Sequence, residues 1–230
     1  MIRGLIFSDV DGTFLDEAGA VPFEAGWLRG VADCWRVIFA SSRTAAQLRN
    51  LQAALGWVDW GIAEDGSVLA SPAGDEMILG VPRQEIISRL AGTGLWMRVA
   101  GMVPSGEAPR TASILLPRRV ADDPDFADFR AGMLSVDLRC SAGGRWATLT
   151  GTPDKGSAAH ALLERLGLRA SAAIGNDAND EALLRAVPHA FVIRNATGHH
   201  PRLALIEGAT LLQSPGPQGW KEMIGALHRR

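Results

Sequence analysis

The sequence predicts an α/β protein built on a doubly wound, mostly parallel sheet, with an α+β segment inserted into it. Three features carry that prediction. The chain opens with a short apolar run, Gly4 to Phe7, that ends in two carboxylates, Asp9 and Asp11. Apolar strands and striped helices then alternate as far as Leu69, the spacing of a wound sheet. The pattern breaks between about Val81 and Thr150, and the α/β rhythm resumes at Gly151.

Gly4 to Phe7 reads as a buried parallel strand, and Gly12 allows a sharp exit after the acid pair. Ligands collect at the carboxyl ends of strands in open α/β sheets, so Asp9 and Asp11 stand where chemistry is expected. The competing reading is an exposed Asp-rich turn. Pro22 to Asp33 fits a helix, with Phe23, Trp27, Leu28 and Val31 on one stripe. Arg36 to Ala40 is a second strand, and it runs into Ser41-Ser42-Arg43-Thr44. Thr44 to Leu55 has helical spacing, with Gly56 as its stop. Gly61-Ile62-Ala63 is a short strand leading through the turn signal Glu64-Asp65-Gly66 to a hairpin partner, Ser67 to Leu69.

In the insert, Arg83 to Leu90 and Pro124 to Ala131 read as helices. Leu95 to Val99 and Thr111 to Leu116 read as strands. Leu134 to Cys140 and Arg145 to Thr150 are expected to form a hairpin around Ala142-Gly143-Gly144. The division expected is a core of residues 1–80 and 151–230 with a cap of residues 81–150. Beyond the insert, Ser157 to Leu166 is a helix and Ala172 to Ile174 a strand ending at Gly175-Asn176-Asp177-Ala178-Asn179-Asp180. Glu181 to Val187 is a helix, Ala190 to Ile193 a strand, and the tail from Gly216 turns into a last helix.

Composition narrows the function. The 230 residues are 47% hydrophobic and 21% charged, enough for a sizeable core. A formal net charge of −2 gives no electrostatic reason to expect nucleic acid or an anionic membrane as partner. No stretch approaches the roughly 20 apolar residues that span a bilayer. Two cysteines without metal-ligand spacing suit a reduced, cytoplasmic setting.

Four loops place polar groups together: Asp9 with Asp11, Ser41, Lys155, and the Asn176–Asp180 run. Two carboxylates and a further acidic loop suit a hard cation such as Mg²⁺. A lysine and a serine beside it are the parts that hold a phosphate dianion, whose charge must be neutralised before an acid can attack it. No His lies near these loops in sequence, and neither a P-loop nor G-x-G-x-x-G is present. Each residue also has a plain structural reading. Ser41 can serve the start of a helix, Lys155 can be a solvated turn lysine, and Asp180 can be an acid favoured by a helix dipole.

The set DVDGT, FASSRT, TPDKG and IGNDANDEALL, spread from Asp9 to Asp180, resembles the haloacid dehalogenase superfamily of phosphatases. The insert lies between the second and third motifs, as in the branch with an α+β cap there. Within it, SSRT, IAEDGSVL, GGRWATLTGTPDKG and GPQGWKEMI are similar to mannosyl-3-phosphoglycerate phosphatases, with patchy similarity in the cap. The resemblance implies a Rossmann-like core, Mg²⁺ as cofactor and a small phosphorylated metabolite as substrate. It implies that Asp9 is phosphorylated, that Asp11 is general acid and then base, and that Ser41 and Lys155 hold the phosphoryl group. The metal would be held by Asp9, Asp11 through its backbone carbonyl, Asn176 and Asp180.

Ser42, Arg43 and Arg145 are the expected substrate contacts, since arginines clamp carboxylate and phosphate. Arg145 reads equally as a strand-edge charge. The superfamily pattern has Gly-Asp where this chain has Gly175-Asn176, which removes one negative charge. Asn176 is then a weaker ligand, or Asp177 takes over, or catalysis is poor. Three functions follow: a phosphatase for mannosyl- or glucosyl-3-phosphoglycerate, a phosphatase or mutase for another sugar phosphate, and a binding protein that has lost catalysis.

Overall fold

The computed structural model describes residues 2–229; the outermost residue at each end of the expected core lies outside that range. In chain order the elements are β1 (Gly4–Ser8), α1 (Ala25–Cys34), β2 (Trp35–Ala40), α2 (Ala45–Leu55), β3 (Gly61–Ala63), β4 (Val68–Ala70) and β5 (Glu76–Ile78). The insert contributes α3 (Arg83–Gly92), α4 (Trp96–Val99), β6 (Ser113–Pro117), α5 (Arg119–Asp122), α6 (Ala127–Leu134), β7 (Arg139–Gly143) and β8 (Trp146–Thr150). After it come α7 (Lys155–Leu166), β9 (Ala172–Gly175), α8 (Glu181–Arg185), β10 (Ala190–Arg194), α9 (Pro201–Ala204), β11 (Thr210–Pro215) and α10 (Gly216–His228).

Among the described residues the large sheet has the order β11-β10-β9-β1-β2-β3-β4-β5. It is parallel from β11 to β3, and the β3–β4–β5 edge is antiparallel. Alternation along β1 explains the layering. Ile6 faces a cluster with α1, α2 and α10, while Leu5 and Phe7 face another with α7, α8 and α9. Burial on both faces is why the parallel strands are continuous apolar runs. The fold is therefore a doubly wound, parallel-dominated α/β sheet. Among the described residues no helix is long and apolar enough to cross a membrane.

Local chemistry sets the boundaries. Thr44 and Gln47 close a reciprocal capping box at α2, and Gly56 ends it in left-handed backbone at φ 68°. Asp154 and Ser157 make the same box at α7, so that helix begins at Lys155, two residues earlier than its apolar stripe suggests.

The insert has its own antiparallel sheet, β6-β8-β7, and its own apolar cluster, from Ile86 to Leu149. Two expectations are corrected there. Leu95 to Val99 is not a strand; α4 occupies it, with Val99 buried and Met97 83% exposed. The three-residue apolar run Leu95-Trp96-Met97 does not reveal its own period, and the one-turn helix lets Leu95 pack on Gly132. Leu134 to Leu138 is not strand either. Helix α6 runs to Leu134, a turn follows with Asp137 at φ 56°, and pairing starts at Arg139.

Candidate active site

Strand register assembles the site. Ser8 pairs with Phe39 of β2 on one side and with Ile174 of β9 on the other. Asp9 therefore leaves β1 between the ends of two neighbours, one continuing into Ser41 and the other into Asn176. Past Asp9 the chain turns, the Val10 carbonyl accepting the N–H groups of Phe14 and Leu15 at 2.9 Å. Phe14 then seats in an aromatic cluster with Phe23, Phe39, Trp57 and Trp220. Gly12 sits in that turn at φ 72°, where a Cβ would come within 2.7 Å of the Asn176 amide. The buried Trp220 indole donates to Ser8 Oγ at 2.9 Å, and that hydroxyl donates to the Asp9 carbonyl at 2.6 Å. A tail residue expected to pack on the core thus also fixes the strand end that carries Asp9.

Lys155 is the centre of the arrangement. Its side chain is buried, and Nζ donates to Asp9 Oδ1 at 2.7 Å and to Asp180 Oδ1 at 2.6 Å. Burial by itself would push the ammonium down, but Asp180, Asp9 and Asp65 hold it above the ordinary lysine value. Lys155 is not a solvated turn lysine. Burial and the neighbouring Asp180 push Asp9 up to about 7, against the pull of Lys155. The other Asp180 oxygen accepts the N–H groups of Asn176 and Asp177, at 2.9 and 3.1 Å. Asp180 thereby shapes the fourth loop and holds the lysine at once.

Asp11 is half exposed, and Arg43 grips both of its oxygens. Ser41 is buried; its Oγ accepts the Arg43 N–H at 3.2 Å, and Thr44 rather than Ser41 caps α2. Ser42 is covered from the insert, where Arg110 Nη1 donates to its carbonyl at 2.8 Å. Arg145 is exposed in the β7–β8 turn. That turn lies on the fourth loop, because the Gly144 N–H donates to Asp177 Oδ2 at 3.1 Å. Arg118 reinforces the junction, with Nη1 at 2.6 Å from both Asp177 Oδ2 and the Gly144 carbonyl. Burial would raise the Asp177 carboxyl, but Arg118 together with the Ala178 and Gly144 N–H groups outweighs that and holds it below the usual range. Sequence reasoning did not see this clasp or Arg110 on Ser42, because nothing in the spacing of residues 110, 118 and 177 marks them as neighbours.

The donor set available to a cation is mixed. Among the described residues no group of three or more His, Cys, Asp or Glu side chains comes together to hold an ion. Instead, the Asn176 amide meets the Asp11 carbonyl just beyond the strand end that carries Asp9. Asn176 Nδ2 lies 3.1 Å from the Gly12 carbonyl and 3.4 Å from that of Asp11, and a half-turn of the amide presents its oxygen instead. One carboxylate with neutral oxygens suits Mg²⁺, which keeps several waters and takes further oxygens from phosphate. Three carboxylates, Asp9, Asp11 and Asp180, face two cations there, Lys155 and Arg43, so the site is short of positive charge. The residues present fit the ion.

Solved structures share this architecture. A Thermoplasma acidophilum protein superposes with a TM-score of 0.80 at 17% identity, covering 99% of each chain. The fold is that of the haloacid dehalogenase-like hydrolases. A hydrolase so described from Bacillus subtilis matches with a TM-score of 0.71 at 18% identity, covering 96% of this chain and 99% of its own. A sucrose-phosphatase from Synechocystis, solved with sucrose and phosphate, matches with a TM-score of 0.67 at 18% identity over 98% of each chain. No protein-family model matches the sequence.

Proposed function

We propose that this chain is a Mg²⁺-dependent phosphomonoester hydrolase, working through an aspartyl-phosphate on Asp9. Residues 81–150 would serve as cap over a core of residues 1–80 and 151–230. The observation that carries the reading is the buried Asp9–Lys155–Asp180 chain at the carboxyl end of the central strand. Lys155 takes Asp9 Oδ1 and leaves the second oxygen to attack phosphorus, splitting one hard displacement into two. Asp11 would give a proton to the leaving alkoxide and then take one from water. For that, Arg43 must let go of it. Ser41 and Ser42 would hold the phosphoryl oxygens, with Arg43 and Arg145 turned to the rest of the substrate. Bound Mg²⁺, held by Asp9, the Asp11 carbonyl and Asn176, supplies neutralising charge to the phosphoryl group. Asp180 supports that set through the loop it shapes.

The substrate proposed is a small phosphorylated metabolite, with mannosyl- or glucosyl-3-phosphoglycerate first. The sequence similarity and the arginines around the loops favour it. Another sugar phosphate is the second choice, supported by the likeness to a sucrose-phosphatase. One observation favours weak catalysis instead: the Asn176 amide donates to the Asp11 carbonyl, the one that would face the ion. Release of phosphate from a chromogenic ester, lost in Asp9→Asn and on adding EDTA, tests the reading. Wild-type protein that is inert at every Mg²⁺ concentration would exclude it. A panel of phosphorylated sugars and glycerates then ranks the substrates.

A further inference from the structure

The turn after β3 carries two acids in left-handed backbone, Glu64 at φ 51° and Asp65 at φ 54°. Aspartate is found there with some frequency; a glutamate is rarer, and both are buried, at 1% and 0% exposure. Two left-handed residues in a row suit a tight turn between antiparallel strands, but such a turn does not call for buried acids. Here every carboxylate oxygen is engaged across a junction. Glu64 Oε1 accepts the Thr111 N–H at 2.8 Å, and Oε2 accepts the Ala112 N–H at 2.9 Å and the Ser113 hydroxyl at 2.6 Å. Asp65 Oδ1 accepts from Asn179 Nδ2 at 2.9 Å, and Oδ2 accepts from Ser141 Oγ at 3.1 Å.

The backbone of the same dipeptide reaches further. Glu64 N–H donates to the Arg43 carbonyl and Asp65 N–H to that of Ser41, at 2.9 and 3.1 Å. The Asp65 carbonyl accepts from Arg139 at 2.9 Å. Gly66, at φ 99°, lies so close to the start of α7 that a Cβ would stand 2.2 Å from the Asp154 carbonyl. One turn thus touches the insert at the start of β6 and the start of β7, the Ser41–Arg43 loop, the residue before Asp180 and the residue before Lys155.

We propose that Glu64 and Asp65 are positioning residues. Glu64 fixes the seat of the insert on the core. Asp65 holds the Asn179–Asp180 segment against the β7–β8 hairpin, so cap seat and loop register are set at one point. The inference rests on the phosphatase reading for its kinetic consequence, but its structural consequence can be measured without activity.

The test uses Glu64→Gln and Asp65→Asn in the full chain; each puts an amide NH₂ where a carboxylate oxygen accepts a bond. On a phosphomonoester that the wild type hydrolyses, Glu64→Gln is expected to raise KM about tenfold with kcat within about twofold, and Asp65→Asn to lower kcat about tenfold with KM within about twofold. Hydrogen exchange should quicken at residues 111–113 and 41–44 in Glu64→Gln, and at residues 139–141 and 177–180 in Asp65→Asn. Variants that melt earlier but keep KM, kcat and the exchange of those segments overturn the proposal and leave a structural turn. If the wild type hydrolyses no phosphomonoester, the phosphatase reading fails and exchange alone decides. Quickening confined to residues 64–66 then overturns the inference, and quickening in the named segments supports it.

Discussion

The guanidinium of Arg43 holds the Asp11 carboxylate in a two-point grip, Nε to Oδ2 at 3.0 Å and Nη2 to Oδ1 at 2.7 Å. The contact engages the oxygens that the proposed chemistry needs for proton transfer, so a substrate anion must draw Arg43 away. The pair is largely solvated, with 28% and 47% of the side chains exposed, and adds about 1 kcal/mol or less to folding. Arg43→Ala should therefore melt within about 3 °C of wild type while kcat/KM falls by roughly tenfold or more. Arg43→Lys should recover only part of the loss, since an ammonium cannot form the fork. Calorimetry and steady-state kinetics on the same preparations separate the two effects.

Asp9 and Asp180 share one lysine but differ in what else they do. Asp180 accepts two backbone N–H groups as well, and it is wholly buried. Asp180→Asn puts an amide where a carboxylate accepts charge-assisted bonds, and it should cost about 3 kcal/mol or more. Asp9→Asn leaves Lys155 paired with Asp180 and removes a carboxylate that burial already disfavours. Its cost should be under about half that of Asp180→Asn, with turnover lost by a factor of 10³ or more. Urea denaturation of the two variants checks the order; equal midpoints would put Asp180 on the same footing as Asp9.

The sequence made the parallel core readable because buried strands such as Leu5–Phe7 and Val37–Ala40 are apolar throughout and end abruptly in polar residues. Edge strands left no such trace. In β5 Glu76 and Ile78 are exposed, and in β11 Leu211 and Gln213 are, so neither segment shows a buried run. Helix α9 is four residues long and offers no period to read. At the site, Asp9, Lys155 and Asp180 were legible as loop residues at the ends of core elements. Their meeting around one ammonium depends on the strand order β9-β1-β2. Glu64-Asp65-Gly66 has the composition of a solvent turn; only the arrival of Thr111, Ser141 and Asn179 from distant parts of the chain makes it a junction.

Asn176 stands where a carboxylate would crowd two carbonyls. Its Nδ2 now donates to those of Gly12 and Asp11. Asn176→Asp replaces that donor with an acceptor, so the metal-free variant should melt earlier, by about 1–2 kcal/mol of stability. Added Mg²⁺ should raise its melting temperature more than that of wild type, and half-maximal activity should need several-fold less Mg²⁺. A thermal-shift titration with Mg²⁺ alone reads this without turnover. An Mg²⁺-induced shift equal to that of wild type would place residue 176 away from the ion.

Cys140 lies on β7 beside the Asp65 junction, and burial pushes its thiol up to about 12. At pH 8 its thiolate is then scarcer than that of an ordinary cysteine by a factor on the order of 10³. Iodoacetamide should label it more slowly in the native chain, by less than that factor because a more basic thiolate is also more nucleophilic, and at the ordinary rate in denaturant. Rapid native labelling by mass spectrometry would mean that the hairpin opens readily.

Glu222 ties the last helix to the edge strand. From α10 it accepts the N–H groups of Gln213 and Ser214 of β11, the shortest at 3.0 Å. Burial would raise its carboxyl, but these donors outweigh it and hold the group below the ordinary glutamate value. A depressed folded-state value means that the contribution is complete above the unfolded glutamate range, near pH 4.5, and is lost as pH falls through the folded value. Because the group is largely solvated, the contribution should be about 1 kcal/mol or less. Glu222→Gln should therefore be slightly less stable than wild type at pH 7, and the gap should close on acidification below about pH 4. Urea midpoints measured at pH 7, 5 and 3.5 test this, and a gap that widens toward low pH would reverse the assigned sign.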